Sequence, residues 1–99
     1  MAFKIRFNKR FNANAERLAT WLEKEWSKKV ADDFAKKLIS VILAINKNPF
    51  IGSSSYRKLA VRKFNVTKHN KIYYRVKNNT ITFITLFDTR QNPKKDRYK

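Results

Sequence analysis

The sequence predicts a small α+β domain in the order β-α-α-β-β-β, with the strands in one sheet and a two-helix hairpin packed on one of its faces. Three observations predict it: an opening segment that alternates apolar and basic residues, two stretches with apolar residues at three- and four-residue spacings, and three later runs rich in β-branched and aromatic residues. With 99 residues, 42% of them hydrophobic and 14% aromatic, the chain can pack one core and leaves little length for a second. A single domain over residues 1–99 follows, with a flexible basic tail at 94–99.

The opening FKIRF sets Phe3, Ile5 and Phe7 against Lys4 and Arg6, the period of a strand with one buried face. Asn12 or Asn14 is placed to cap the first helix, with Glu16 in its first turn. Ala15, Leu18, Ala19, Leu22 and Trp26 then share one helical face, with Trp21 at its margin. Ser27 is the cap of a second helix whose stripe is Val30, Phe34, Leu38, Val41, Ile42 and Ile45. Pro49 ends it, because the residue before a proline is pushed out of the helical region. NPFIGSSSY, which holds the only glycine, divides helices from sheet.

RKLAVRKF, KIYYRV and TITFITLF give the three-strand meander. Lys77-Asn78-Asn79-Thr80 reads as a two-residue hairpin turn, since asparagine accepts the positive φ such loops demand, and a second turn falls near His69-Asn70. If Val76 faces Ile81 across the first turn, Tyr74 pairs with Phe83 and Ile72 with Thr85 on the helix-facing side. The opposite side then carries Lys71, Tyr73, Arg75, Thr82, Ile84, Leu86 and Asp88; in the preceding strand Leu59 and Val61 turn inward and Arg62 outward. Ile84 and Leu86 make that side too apolar to stand bare, so another segment should cover it, and a partner chain is one way to do so.

Charge narrows the function. The net charge is +17, and residues 57–99 hold thirteen Lys and Arg against only Asp88 and Asp96. A self-repelling chain of this kind points to an anionic partner, the plain alternative being a solubilising surface. Membrane-surface binding calls for a basic amphipathic helix, whereas here the basic excess falls on strands, so no membrane partner is expected. Without cysteine there is no disulfide, thiolate nucleophile or zinc-thiolate site. Neither a signal-like N-terminus nor an 18-residue apolar stretch is present, so a soluble, cytoplasmic protein is expected.

The element order, together with ISVILAINKNPFIG, the strand pair VRKFNVTKHNKIYYRV followed by TITFITLF, and above all FDTRQNP at 87–93, resembles the RelE/ParE superfamily of bacterial type II toxin–antitoxin toxins. The resemblance covers nearly the whole chain. It implies a compact toxin, alone or wrapped by a cognate antitoxin, and one of two attacks. RelE-like members cut messenger RNA on the ribosome; ParE-like members bind and poison DNA gyrase without chemistry of their own.

A metal-free ribonuclease must activate a ribose 2′-hydroxyl, stabilise the charge that builds on the phosphate and protonate the leaving oxygen. The resemblance puts Arg90 at the arginine that follows the last strand, Lys71 near a basic residue of the third strand, Arg62 and Lys63 near a basic pair of the second, and Tyr98 near a tyrosine that assists proton transfer. For Arg90 the structural alternative is a salt bridge to Asp88, and the two can coexist. Arg62, Lys71, Arg90 and Tyr98 are therefore the catalytic candidates, with Lys63, Lys68, Tyr73 and Arg75 as nucleic-acid contacts. Tyr73 and Phe64 could stack on bases, ordinary sheet packing being the alternative. His69, the sole histidine, falls in a turn and reads as solvated. Trp21 and Trp26 read as core or hairpin residues. No His/Asp/Glu cluster has metal-ligand spacing and no glycine-rich phosphate loop exists, so neither metal nor cofactor is expected. RNA cleavage is preferred because a phosphate-dense target suits the basic excess. Gyrase inhibition is the alternative, and a non-toxic RNA-binding protein, against which FDTRQNP argues, is the third.

Overall fold

A computed structural model describes residues 3–54 and 60–89. The elements are β1 (Lys4–Phe7), α1 (Lys9–Glu25), α2 (Lys28–Lys47), β2 (Ser53–Ser54), β3 (Val61–Asn65), β4 (Asn70–Lys77) and β5 (Thr80–Asp88). The strands form one sheet in the order β1-β5-β4-β3-β2, with β1 parallel to β5 and the other pairs antiparallel. The predicted α+β class is the observed one, with the two-residue β2 added at the edge. No helix among the described residues is long and apolar enough to cross a membrane.

The main core lies between the helices and one face of the sheet. Phe11, Leu22, Ala31, Phe34, Val41 and Ile45 meet Ile72, Tyr74, Ile81, Phe83 and Leu86 there. Ring contacts bind β1 and α1 to it: Phe7 stacks on Phe83 at 5.3 Å between centroids, and Phe11 lies 5.7 Å from Phe83. Burial of Phe11 explains a departure from the expected start of α1. The helix begins a turn early, at Lys9 with Asn8 as N-cap, instead of at Asn12 or Asn14, and its first turn holds no acidic residue. Ser27 does cap α2, its hydroxyl accepting from the Val30 N–H at 3.1 Å. Trp26 is no core residue: α1 ends at Glu25, Trp26 leaves helical geometry and is 66% exposed. Trp21 is 40% exposed, and Val30 yields its place on the α2 stripe to Ala31.

Asn78 and Asn79 both take positive φ, 52° and 62°, which lets a two-residue loop join β4 to β5. Val76 pairs with Ile81 and Tyr74 with Phe83 as the sequence predicts, but Tyr73 pairs with Thr85, so Ile84 is an extra residue on β5. Beyond this bulge Ile72 opposes Leu86, not Thr85. Leu86 therefore joins the helix-side core, while Phe87 joins Val61, Tyr73 and Ile84 in a second buried cluster on the other face. Ile84 and Leu86 are 9% and 4% exposed, so both are covered within the chain, as expected of residues too apolar to stand bare, and no partner chain is needed to bury them. Val61 also turns away from the helices, contrary to the sequence reading, and Leu59 lies outside the described residues.

Candidate nucleic-acid interface

Strand parity sorts the basic side chains. In antiparallel strands directly opposed residues share a face. Lys63 opposes Tyr73, Asn65 opposes Lys71 and Val61 opposes Arg75, so these lie on the face away from the helices. Arg62 opposes Tyr74, and Phe64 opposes Ile72, both of the helix-side core. Arg62 thus faces the helices, not outward as the sequence reading had it. Its guanidinium donates to the Gly52 carbonyl at 2.6 Å and the Phe50 carbonyl at 3.4 Å, and lies 5.0 Å from the centre of the Phe50 ring. These contacts tie the segment after α2 to the sheet.

Tyr74 ties the same segment from below. Its hydroxyl donates to the Pro49 carbonyl at 2.7 Å and accepts from the Gly52 N–H at 3.0 Å. Burial pushes the phenol pKa above its usual 10.0, while the Gly52 N–H and the Arg62 charge pull it down. Gly52 is required here for closeness: a Cβ would stand 2.6 Å from the Tyr74 hydroxyl and 2.7 Å from the Lys63 carbonyl. The glycine that makes no phosphate loop has this packing duty instead.

Once the segment is fixed, Ile51, Ser53, Lys63, Phe64, Asn65 and Lys71 line an open depression of about 460 Å³ at the β3 edge. The Lys71 ammonium lies 5.5 Å from the centre of the Tyr73 ring and 5.7 Å from that of Phe87. Such cation–aromatic contact holds the charge at the mouth of the second apolar cluster. Lys63 and Lys71, set on adjacent strands, can both reach an anion in this depression.

The other candidates are dispersed. Lys68 and His69 are exposed in the β3–β4 turn, and Arg75 is exposed two residues beyond Tyr73. Tyr73 is 0% exposed, so its ring packs in the sheet and presents no face for a base to stack on. Phe64 is half-buried against the main core. Asp88 is 8% exposed; Arg90 and Tyr98 lie outside the described residues. Among the described residues no three His, Asp or Glu side chains come together as a metal site. Sequence reasoning missed Ser53 and Asn65, whose polar side chains complete the depression; the pairing of Asn65 with Lys71 follows only from the β3–β4 register.

Comparison with known proteins agrees with this architecture. The solved structure titled chromosomal ParDE TA system from P. aeruginosa matches with a TM-score of 0.75 at 10% identity, covering 88% of this chain and 96% of that one. The YoeB/ParE toxin from Agrobacterium tumefaciens matches at 0.65 and 13% identity, over 86% and 96% of the two chains. The E. coli DinJ-YafQ toxin-antitoxin complex matches at 0.63 and 12% identity, over 91% and 96%. At such identities the likeness is one of fold. No curated protein matches in sequence. The family model described as ParE toxin of type II toxin-antitoxin system, parDE, matches residues 5–93, nearly the whole chain. The chain therefore belongs to the ParE toxin family of type II toxin–antitoxin systems.

Proposed function

We propose that this toxin arrests growth by cleaving messenger RNA on the ribosome, using the depression at the β3 edge as its phosphate site, and that a cognate antitoxin neutralises it. The observation that supports cleavage most is the placement of Lys63 and Lys71 on adjacent strands around one depression, with Asn65 and Ser53 beside them. No metal is invoked. In the reaction the ribose 2′-hydroxyl gives up its proton to water as its oxygen attacks the adjoining phosphorus, the bond to the 5′-oxygen breaks and that oxygen takes up a proton, and a 2′,3′-cyclic phosphate and a 5′-hydroxyl result. Lys71 and Lys63 offset the negative charge that grows on the phosphate oxygens, a role that needs fixed cations more than proton transfer. Arg90 is assigned a second, bidentate contact to the same phosphate and Tyr98 the proton transfer. Lys68 and Arg75 hold the flanking backbone. Arg62 and Tyr73 are not assigned to the chemistry, because one faces the helices and the other has no exposed surface.

Lys71→Ala and Arg90→Ala, each expressed in cells, are expected to retain the fold and lose growth arrest together with new messenger-RNA 5′ ends. Mapping those ends while the parent protein is expressed tests the reading: growth arrest with intact messages and induced DNA damage would sink it. That outcome would establish the second reading, a non-catalytic gyrase inhibitor, which the match to the ParE family model favours. The antitoxin need not supply apolar cover for Ile84 or Leu86, both already buried. Acidic side chains over Lys63 and Lys71 would suffice to block the depression.

A further inference from the structure

The sheet face that carries the depression bears a second group of cations at its other end. β1 and β4 flank β5, and the registers align Lys4 with Thr80 and Lys77 in one row, Arg6 with Thr82 and Arg75 in the next. Ile5 and Ile81 pack toward the helices, so all six of these side chains share the opposite face. With strands about 4.8 Å apart and about 3.3 Å of rise per residue, the four cations stand at the corners of a rectangle of about 10 by 7 Å. Lys4, Arg6, Arg75 and Lys77 are all exposed, with the half-buried threonines between them. Among the described residues the single ion pair is Lys29 with Asp33, on α2, so none of the four is neutralised by a carboxylate there. The only acidic residue in β1, β4 or β5 is Asp88, six residues beyond Thr82.

We infer that Lys4, Arg6, Arg75 and Lys77, with the Thr80 and Thr82 hydroxyls between them, form a second docking surface for an RNA sugar–phosphate backbone. The inference rests on the RNA reading above and extends it: one stretch of the strand sits in the depression while another is held some distance along the same face. The buried Tyr73 and Ile84 lie between Lys71 and Arg75, with Phe87 beside Lys71 and Val61 beside Arg75. Cations and the Thr82 hydroxyl suit phosphate oxygens, the Thr80 hydroxyl donating at 3.4 Å to the Asn78 carbonyl until it is drawn to a ligand, and the absence of an exposed aromatic in the two rows makes this a contact to backbone without base stacking. The surface therefore contributes affinity and position but no sequence preference.

Four phosphate contacts to a single strand add about 2.8 to the slope of log affinity against log salt. Raising salt from about 50 to 200 mM should then weaken the parent about fifty-fold more than a variant without those contacts. The test uses the full chain, fluorescence anisotropy and a labelled 20-nucleotide single-stranded RNA. The variant K4Q/R6Q/R75Q/K77Q is compared with K24Q/K28Q/K36Q/K37Q, which removes the same charge from the helices; circular dichroism and thermal melting establish that both remain folded. A flattened slope for the sheet variant, with the helix variant close to the parent, supports the inference. Equal losses in the two variants would show a response to total charge alone and overturn it, as would an unchanged sheet variant. Duplex DNA and poly-glutamate of equal charge are the competitors: if either displaces the labelled RNA more effectively than unlabelled RNA does, the assignment to RNA is wrong. Because binding is read without cleavage, the two ideas fail separately. A parent that binds RNA through these residues but cuts no message loses the ribonuclease reading alone, whereas cleavage with an unaltered slope in the sheet variant overturns this surface, the backbone contact of Arg75 included, and leaves the depression and its chemistry standing.

Discussion

The Tyr74 hydroxyl joins the loop after α2 to the middle of the sheet, donating to Pro49 and accepting from Gly52. Tyr74→Phe leaves both loop groups without that partner, at a cost of about 1–3 kcal/mol, read as a lower urea midpoint with unchanged m. The pH dependence has a definite sign. Because the folded-state pKa is raised above 10.0, chiefly by burial, the protonated phenol is favoured by folding. Its contribution is full below pH 10.0 and is lost as pH rises from there through the folded pKa. The stability difference between the parent and Tyr74→Phe should therefore narrow with increasing pH above 10. A constant difference would mean that the phenol titrates alike folded and unfolded. None of this was legible in the sequence, where Tyr74 was a core aromatic and Gly52 an isolated loop glycine. Both roles arise from contacts more than twenty residues apart along the chain.

Among the elements, order and type could be read from periodicity, because each segment buries one face and repeats its apolar residues at the matching period. Strand parity could not be read at two places, for the same reason. VRKF has Val61 on one parity and Phe64 on the other, and either could have faced the helices; a second apolar cluster on the outer face accepts Val61 and leaves Phe64 and Arg62 on the helix side. TITFITLF is apolar on both parities after Phe83, so nothing in it marks where the bulge at Ile84 shifts the register. Asn14, on α1, helps to hold that bulge. Its side-chain oxygen accepts from the Thr85 hydroxyl at 2.7 Å and from the Leu86 N–H at 3.4 Å. Asn14→Ala should cost about 1 kcal/mol, even though alanine is the better helix former, and should speed amide exchange at Leu86. Asn14→Asp, which keeps the acceptor, should restore slow exchange. If Asn14→Ala leaves the Leu86 amide as protected as before, the ladder alone holds the bulge.

For the molecule as a whole the governing quantity is the uncompensated charge of +17. The single ion pair among the described residues joins side chains that are 83% and 57% exposed, a geometry that contributes little in water. The Cα framework measures 39 × 31 × 22 Å. In about 0.01 M salt the screening length is about 30 Å, so cations on opposite sides of the fold repel one another; at about 0.1 M it falls to about 10 Å, and only near neighbours interact. Self-repulsion destabilises the compact state more than the expanded one. Adding sodium chloride over this range should thus raise the melting temperature, by about 4–8 °C for each kcal/mol of repulsion removed in a domain of this size. Chloride is the proper choice, since sulfate also strengthens apolar burial. The same logic makes an anion on the sheet face a stabiliser: single-stranded RNA at one hundred times its dissociation constant should add about 2.7 kcal/mol. K4Q/R6Q/R75Q/K77Q should melt higher than the parent in low salt and gain less from RNA. A melting temperature that falls between about 0.01 and 0.1 M sodium chloride would show that the charges are internally compensated, and the basic face would then lose its claim to be held open for a polyanion.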